Sequence, residues 1–187
     1  MPMLEAVNGC GKRAKDRLRG ESGFGLIELL IAMTVLSIGI LALFAMFESG
    51  IRSTSRASTV TTAGALADSE MENFRAIRYD AIGLPESLVA AAVTSSPPYG
   101  SDAAYQAVLA DRVDVAACGT PPCTTKVPVQ TLTGADGRSY RVDTYVSWQT
   151  VGTGRKVKLV TIVVRGGSDP TKVWARTASS FDESTGT

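Results

Sequence analysis

Glu28 is the one ionisable residue in the apolar run that fills Phe24 to Phe47 of ESGFGLIELLIAMTVLSIGILALFAMF. A charged side chain in lipid costs roughly 2.5–3.5 kcal/mol at the bilayer centre and less near its edge. An acid four residues into such a run therefore calls for a cation, and no lysine or arginine follows it until Arg52. A nearer cation arises if the chain is cut just ahead of the run. Cleavage before Phe24 frees an α-amine four positions from Glu28, on the same helical face. That amine can belong to the same chain or to a neighbouring one, and the residues alone leave both pairings open.

Other reactive side chains are few. Histidine is absent, which removes the commonest general base and metal ligand and excludes Ser-His-Asp and Cys-His catalysis. Cys118 and Cys123 bracket a short Gly-Thr-Pro-Pro loop. A structural disulfide is the expected use of this pair outside the cytoplasm. Zinc asks for four ligands, and a redox pair is normally spaced by two residues. Cys10, near the N-terminus, reads as an idle thiol. Asp136 in Gly134-Ala135-Asp136-Gly137 could ligate calcium but is better explained as a turn aspartate. Arg155, Lys156 and Lys158 make a small basic cluster near a hairpin tip. It lacks the interleaved aromatics of a nucleic-acid platform, so a solvated hairpin end is expected and nucleic-acid binding is not. Trp148 and Trp174 fall in predicted strands and read as core. Paired carboxylates and phosphate-cradling loops are not evident, so no enzyme, cofactor or metal is expected.

The elements that must carry these residues follow from periodicity. At 1.5 Å per helical residue the apolar run spans about 36 Å, against a hydrocarbon core of about 30 Å. It is too long for the apolar core of a cleaved secretory signal. Five basic residues (Lys12, Arg13, Lys15, Arg17, Arg19) precede it and Glu48 follows it. The positive-inside rule then puts the N-terminus in the cytoplasm and the rest outside the membrane. Beyond the run, Val60, Ala63, Ala67, Met71, Phe74, Ile77 and Ala81 recur at helical spacing. This continues the helix as far as Gly83-Leu84-Pro85, with a bend expected at Ser53-Thr54-Ser55. Residues 86–125 show a short helical signal from Leu88 to Val93, a loop at Ser95 to Gly100, and an ambiguous stretch from Tyr105 to Val115. Four strand signals come last: Lys126–Thr133, with Pro128 marking an edge; Tyr140 to Trp148, alternating with period two; Lys156 to Arg165; and Lys172–Ala178. Glycine turns separate them. The expected fold is α+β, a long N-terminal helix packed on an antiparallel meander of about four strands.

The segment GFGLIELLIAM closely resembles the class III signal of type IV prepilins and pseudopilins, commonly G-F-[TS]-L-[IV]-E, with Gly25 in place of the usual Thr or Ser. The resemblance covers Gly23 to about Ile40. It implies that a prepilin peptidase cuts between Gly23 and Phe24, that the Phe24 amine is N-methylated, and that Glu28 forms an assembly salt bridge with the Phe24 amine of an adjacent subunit. It also implies a pilin fold. The domains are then a cleaved leader (1–23), a transmembrane and filament-core helix (24–47), an amphipathic helix (48–83) and a β-rich head (84–187). The opening, the LADSEMENFRAI helix and a valine-rich late strand most resemble the PilV-type minor pilins. That implies a minor pilus subunit in the inner membrane that helps initiate assembly at the tip. Its partners would be other pilins and minor pilins, the prepilin peptidase and the inner-membrane assembly platform. A pseudopilin of a type II secretion or DNA-uptake filament is the alternative, and a membrane-tethered enzyme or binding module the more distant one.

Overall fold

The computed structural model describes residues 25–119, 123–152 and 154–183. Gly23, Phe24, the basic leader and Cys10 lie outside the described residues. The chain divides into two compact units, Met1–Arg52 and Ser53–Thr187. Helix α1 (Leu26–Arg75) is a single helix of 50 residues. The bend expected at Ser53-Thr54-Ser55 does not interrupt it. Hydroxyls in the next turns bond back along the helix: Thr59 Oγ1 donates to the Ser55 carbonyl at 2.9 Å and Thr61 Oγ1 to that of Ala57 at 3.0 Å.

In the first unit every described residue is solvent-exposed, including an unbroken set of large apolar side chains from Leu26 to Ile51. The stretch is long and apolar enough to cross a membrane, its mean hydropathy reaching 2.6 over 18 residues. Two of its hydroxyls bond within the helix, as lipid favours. Thr34 Oγ1 donates to the Ile31 carbonyl and Ser37 Oγ to that of Met33, each at 2.7 Å.

The second unit is built on a four-stranded antiparallel sheet in the order β1-β2-β3-β4. Its strands are β1 (Val129–Thr133), β2 (Ser139–Val151), β3 (Arg155–Gly166) and β4 (Val173–Phe181). β1 starts three residues later than expected and is a short edge. On its N-terminal side the Pro128 carbonyl still accepts from the Thr144 amide at 2.8 Å. Alternation in β2 reads as one buried and one open face, yet Tyr140, Val142, Thr144 and Val146 are buried and so are Asp143, Tyr145 and Ser147. The first set pairs across to Val164, Ile162 and Val160 of β3 and shares a core with Ala63, Ala67, Met71 and Phe74 of α1. The second set is covered by the segment between α1 and β1.

That segment contains α2 (Glu86–Ser95), a 3-10 turn (Tyr99–Ser101) and α3 (Ala103–Val108). Tyr99 stacks on Tyr145 with ring centroids 4.6 Å apart and donates its hydroxyl to the Thr144 carbonyl at 2.8 Å. Residues 111–115 then run beside the second half of β2. Val113 N donates to Val146 O, and Trp148 N donates to Asp111 O. The sheet is thus sandwiched between helix α1 and an irregular cover.

Two details of α1 differ from the periodicity. The helix ends at Arg75 and not at Gly83, and a 3-10 turn occupies Tyr79–Ala81. Burial of Ile82 and Leu84 and pairing of Leu84 with residues 113–115 draw the chain onto the sheet before the helix can run on. Val60, expected on the inner face, is 43% exposed, while Thr59 is buried. The β1–β2 turn is the cause. It sits so close to α1 that a Cβ on Gly134 would lie 2.5 Å from Thr62 Cγ2, and Arg138 Nη1 bonds Thr59 Oγ1 at 2.5 Å. A polar side chain is therefore favoured where the pattern calls for an apolar one.

Candidate functional site: the Glu28 helix terminus and the head that follows

Glu28 lies in the first turn of α1 and is exposed. Its amide donates to the Gly25 carbonyl at 2.9 Å. This is the end of the helix where the macrodipole favours an anion. Its neighbours Leu26, Ile27, Leu29 and Leu30 are bare. Among the described residues the next charged side chains along α1 are Glu48 and Arg52, which pair with each other one turn apart. The expected partner, the Phe24 amine, lies outside the described residues. The geometry therefore presents one carboxylate at the head of an otherwise apolar, unclothed helical surface, which can recruit a cation and bury itself against similar helices.

In the head, Cys118 and Cys123 are brought to a Cα separation of 4.7 Å, within reach of a disulfide. Asp136 is occupied by its own turn. It accepts from Tyr140 Oη at 2.7 Å and from the Arg138 amide at 3.1 Å, and the Tyr140 hydroxyl in particular holds its carboxyl below the usual range. The basic cluster is split. Arg155 pairs with Asp182 and Lys156 is exposed, but Lys158 is buried. Its ammonium donates to the carbonyls of Tyr79 at 2.7 Å and Ile82 at 2.9 Å and lies over the rings of Tyr79 and Trp148. Burial pushes its pKa below that of an ordinary lysine, against the opposing pull of Asp80 and Glu183. The solvated hairpin end expected for all three residues therefore fails for Lys158, because cross-strand register places it opposite Trp148 on the helix side of the sheet. Trp148 and Trp174 pack against the core from its margin, each half-buried.

Sequence reasoning missed a buried ionic ladder on the other face of the sheet. Asp143 accepts from Arg141 Nε at 2.7 Å and from Arg165 Nε at 2.8 Å. Asp102 pairs with Arg165 and, at 2.9 Å, with Arg176. Asp102 also caps α3 through the Ala104 amide at 2.8 Å. Arg141 donates further to the carbonyls of Ser96 and Pro97. Burial pushes both carboxyls upward. At Asp102 the Ala104 amide and the two guanidiniums outweigh it and hold the pKa below the usual value, whereas at Asp143 burial dominates and raises it. The available signal was the charge alternation itself: Arg141, Asp143 and Arg165 occupy one face of two strands otherwise rich in valine. Among the described residues no buried side-chain nitrogen or oxygen lacks a hydrogen-bond partner.

A long helix with a bare apolar start, packed farther along on a four-stranded antiparallel sheet, defines an α+β, pilin-like arrangement. Residues 18–44 match the family model of the prokaryotic N-terminal methylation motif, the class III signal of type IV pilins. No curated protein and no solved structure matches the chain. The matched span includes Gly23, Phe24 and Glu28, and it supports a type IV pilin- or pseudopilin-like prepilin with a membrane-anchoring helix. Proteins of this type associate with other pilins and with a prepilin peptidase.

Proposed function

We propose that the protein is a minor subunit of a type IV pilus, of the PilV type, that takes part in initiating assembly at the filament tip. It enters the inner membrane through residues 24–47 with its N-terminus in the cytoplasm, and prepilin peptidase cuts between Gly23 and Phe24. The new Phe24 amine is methylated and pairs with Glu28 of the adjacent subunit as α1 leaves the bilayer and packs among sister helices. The inner-membrane assembly platform supports that transfer. A Cys118–Cys123 disulfide closes a loop of the head. The role is interaction and not catalysis.

The observation that carries this reading is the methylation motif over residues 18–44, set at the start of a helix whose apolar side chains are exposed among the described residues. In lipid such a helix is already solvated by acyl chains, so its association depends on close packing of small residues and on polar contacts. Glu28 is the polar contact, and Ala32, Ser37, Gly39, Ala42 and Ala45 are the small residues. Mass spectrometry of the mature protein from its native host tests the proposal. A chain beginning with methylated Phe24 is expected, and one beginning at Met1 refutes it.

A further inference from the structure

An open cleft of about 370 Å³ lies between α1, the β1–β2 turn and the β3–β4 turn, all within the second unit. Its size falls at the low end of ligand pockets. Thr59, Arg138, Ser139, Tyr140, Ser168 and Trp174 supply its side chains. The Arg138 guanidinium has five N–H donors in a fixed fork. Two are spent on the helix: Nη1 donates to Thr59 Oγ1 at 2.5 Å and Nη2 to Ser55 Oγ at 3.1 Å, while Nε lies 3.9 Å from Asp136. One N–H on each of Nη1 and Nη2 has no partner among the described residues, and 55% of the side chain is exposed. The result is a guanidinium tethered to the helix with N–H donors left over, a cation able to take an anion such as a carboxylate.

The remaining wall combines two serines with the Trp174 ring. The Ser139 and Ser168 hydroxyls are exposed. The half-buried Trp174 indole lies against the glycine turn, where a Cβ on Gly166 would come within 3.3 Å of its Nε1. Among the described residues no lysine and no second arginine lines the cleft, as a phosphate-rich ligand would demand. We propose that this cleft binds a sugar ring bearing a carboxylate. Arg138 takes the carboxylate, Ser139 and Ser168 take ring hydroxyls, and Trp174 lies against the apolar C–H face. The site is independent of cleavage and of the Glu28 contact, so its failure leaves the filament role untouched.

The test uses the full chain in detergent with Trp148→Phe, which leaves Trp174 as the single tryptophan, and titrates glucuronate, glucose and acetate against indole fluorescence. Saturable quenching by glucuronate, at least tenfold tighter than by glucose or acetate, is expected, together with a tenfold or greater loss in Arg138→Gln. Should that variant fail to fold, Arg138→Lys is expected to weaken glucuronate several-fold, because a lysine cannot hold a carboxylate in a fork. Equal affinity for glucose removes the carboxylate from the proposal, equal affinity for acetate removes the ring, and an absence of saturation below about 10 mM overturns the site.

Discussion

Asp143 on β2 and Arg165 on β3 stand diagonally across the strand pair, 2.8 Å apart, with side chains 0% and 4% exposed. Two charges this deep cost several kcal/mol each to desolvate, and the cost is offset only when further polar groups complete their shells. Here they do: Arg141 completes Asp143, and Asp102 completes Arg165. Asp102 comes from the irregular cover and not from the sheet, so the ladder fastens that cover to the sheet.

Asp102→Asn keeps the α3 cap, since asparagine accepts from an amide as aspartate does, but removes the charge that balances Arg165 and Arg176. Leaving a buried guanidinium unbalanced is expected to cost about 3 kcal/mol. A urea unfolding midpoint well below that of the unaltered protein, with α3 amides exchanging faster, is the expected result. An unchanged midpoint would show the ladder to be neutral.

The same carboxyl sets a pH dependence. Its pKa in the fold lies below the unfolded value, so the unfolded chain binds more protons in the interval between the two. The stability it contributes is complete above the ordinary aspartate pKa and is lost as pH falls through the folded value. The gap in melting temperature between the unaltered protein and Asp102→Asn should therefore be full at pH 7 and shrink towards pH 3. A gap that widens on acidification contradicts the assignment.

Lys158 ties the Tyr79–Ala81 turn and Ile82 to the sheet. In Lys158→Met the Ile82 carbonyl loses its donor while the Tyr79 carbonyl keeps the Ile82 amide. An unsatisfied buried acceptor costs about 1–3 kcal/mol, partly offset by the added apolar side chain. Amide exchange at residues 79–84 should accelerate by more than that of central β3 residues, which follow global stability. Uniform acceleration throughout the head would mean that Lys158 serves general packing and not this turn.

What was legible in the sequence is what period carries. The apolar run and the Ala63–Ala67–Met71–Phe74 face repeat at helical spacing, and Tyr140 to Trp148 alternates. The helix and the four strands follow from those patterns with few errors of extent. The ladder was not legible because its partners are far apart in the chain: Asp102 and Arg176 are separated by 74 residues and Asp143 and Arg165 by 22. Lys158 was misread for a related reason. Its sequence neighbours Arg155 and Lys156 describe a hairpin tip, whereas its surroundings are set by register with Trp148 and by a turn 76 to 79 residues upstream. Glu28 stands out in the sequence because its oddity is local, an ionisable side chain in an apolar run.

Reduction of the proposed Cys118–Cys123 bond tests the head separately. Closing a six-residue loop restricts the unfolded chain by about 2 kcal/mol on the chain-entropy model. Thiol reductant should lower the unfolding midpoint by that amount, and Cys118→Ser should reproduce the shift without reductant. Identical midpoints with and without reductant would mean that the two thiols do not pair.

Glu28→Ala distinguishes an assembly contact from a signal for processing. In the proposed processing, cleavage would need the small residue at Gly23 and access to the bond after it, and neither would depend on a carboxylate one helical turn further along. The variant should therefore still yield a chain beginning with methylated Phe24. Incorporation is another matter. Within the filament core the Phe24 amine of the neighbour would be buried with no anion, and an uncompensated charge in such surroundings costs far more than the 1.4 kcal/mol that makes a tenfold difference. Processed Glu28→Ala protein should remain in the inner-membrane fraction, with its share of sheared filaments reduced about tenfold or more. Glu28→Asp should recover part of the loss, because the charge is kept and only its reach is shortened. Normal incorporation of Glu28→Ala would leave the carboxylate without a role in assembly, and failure of cleavage would reassign it to recognition by the peptidase.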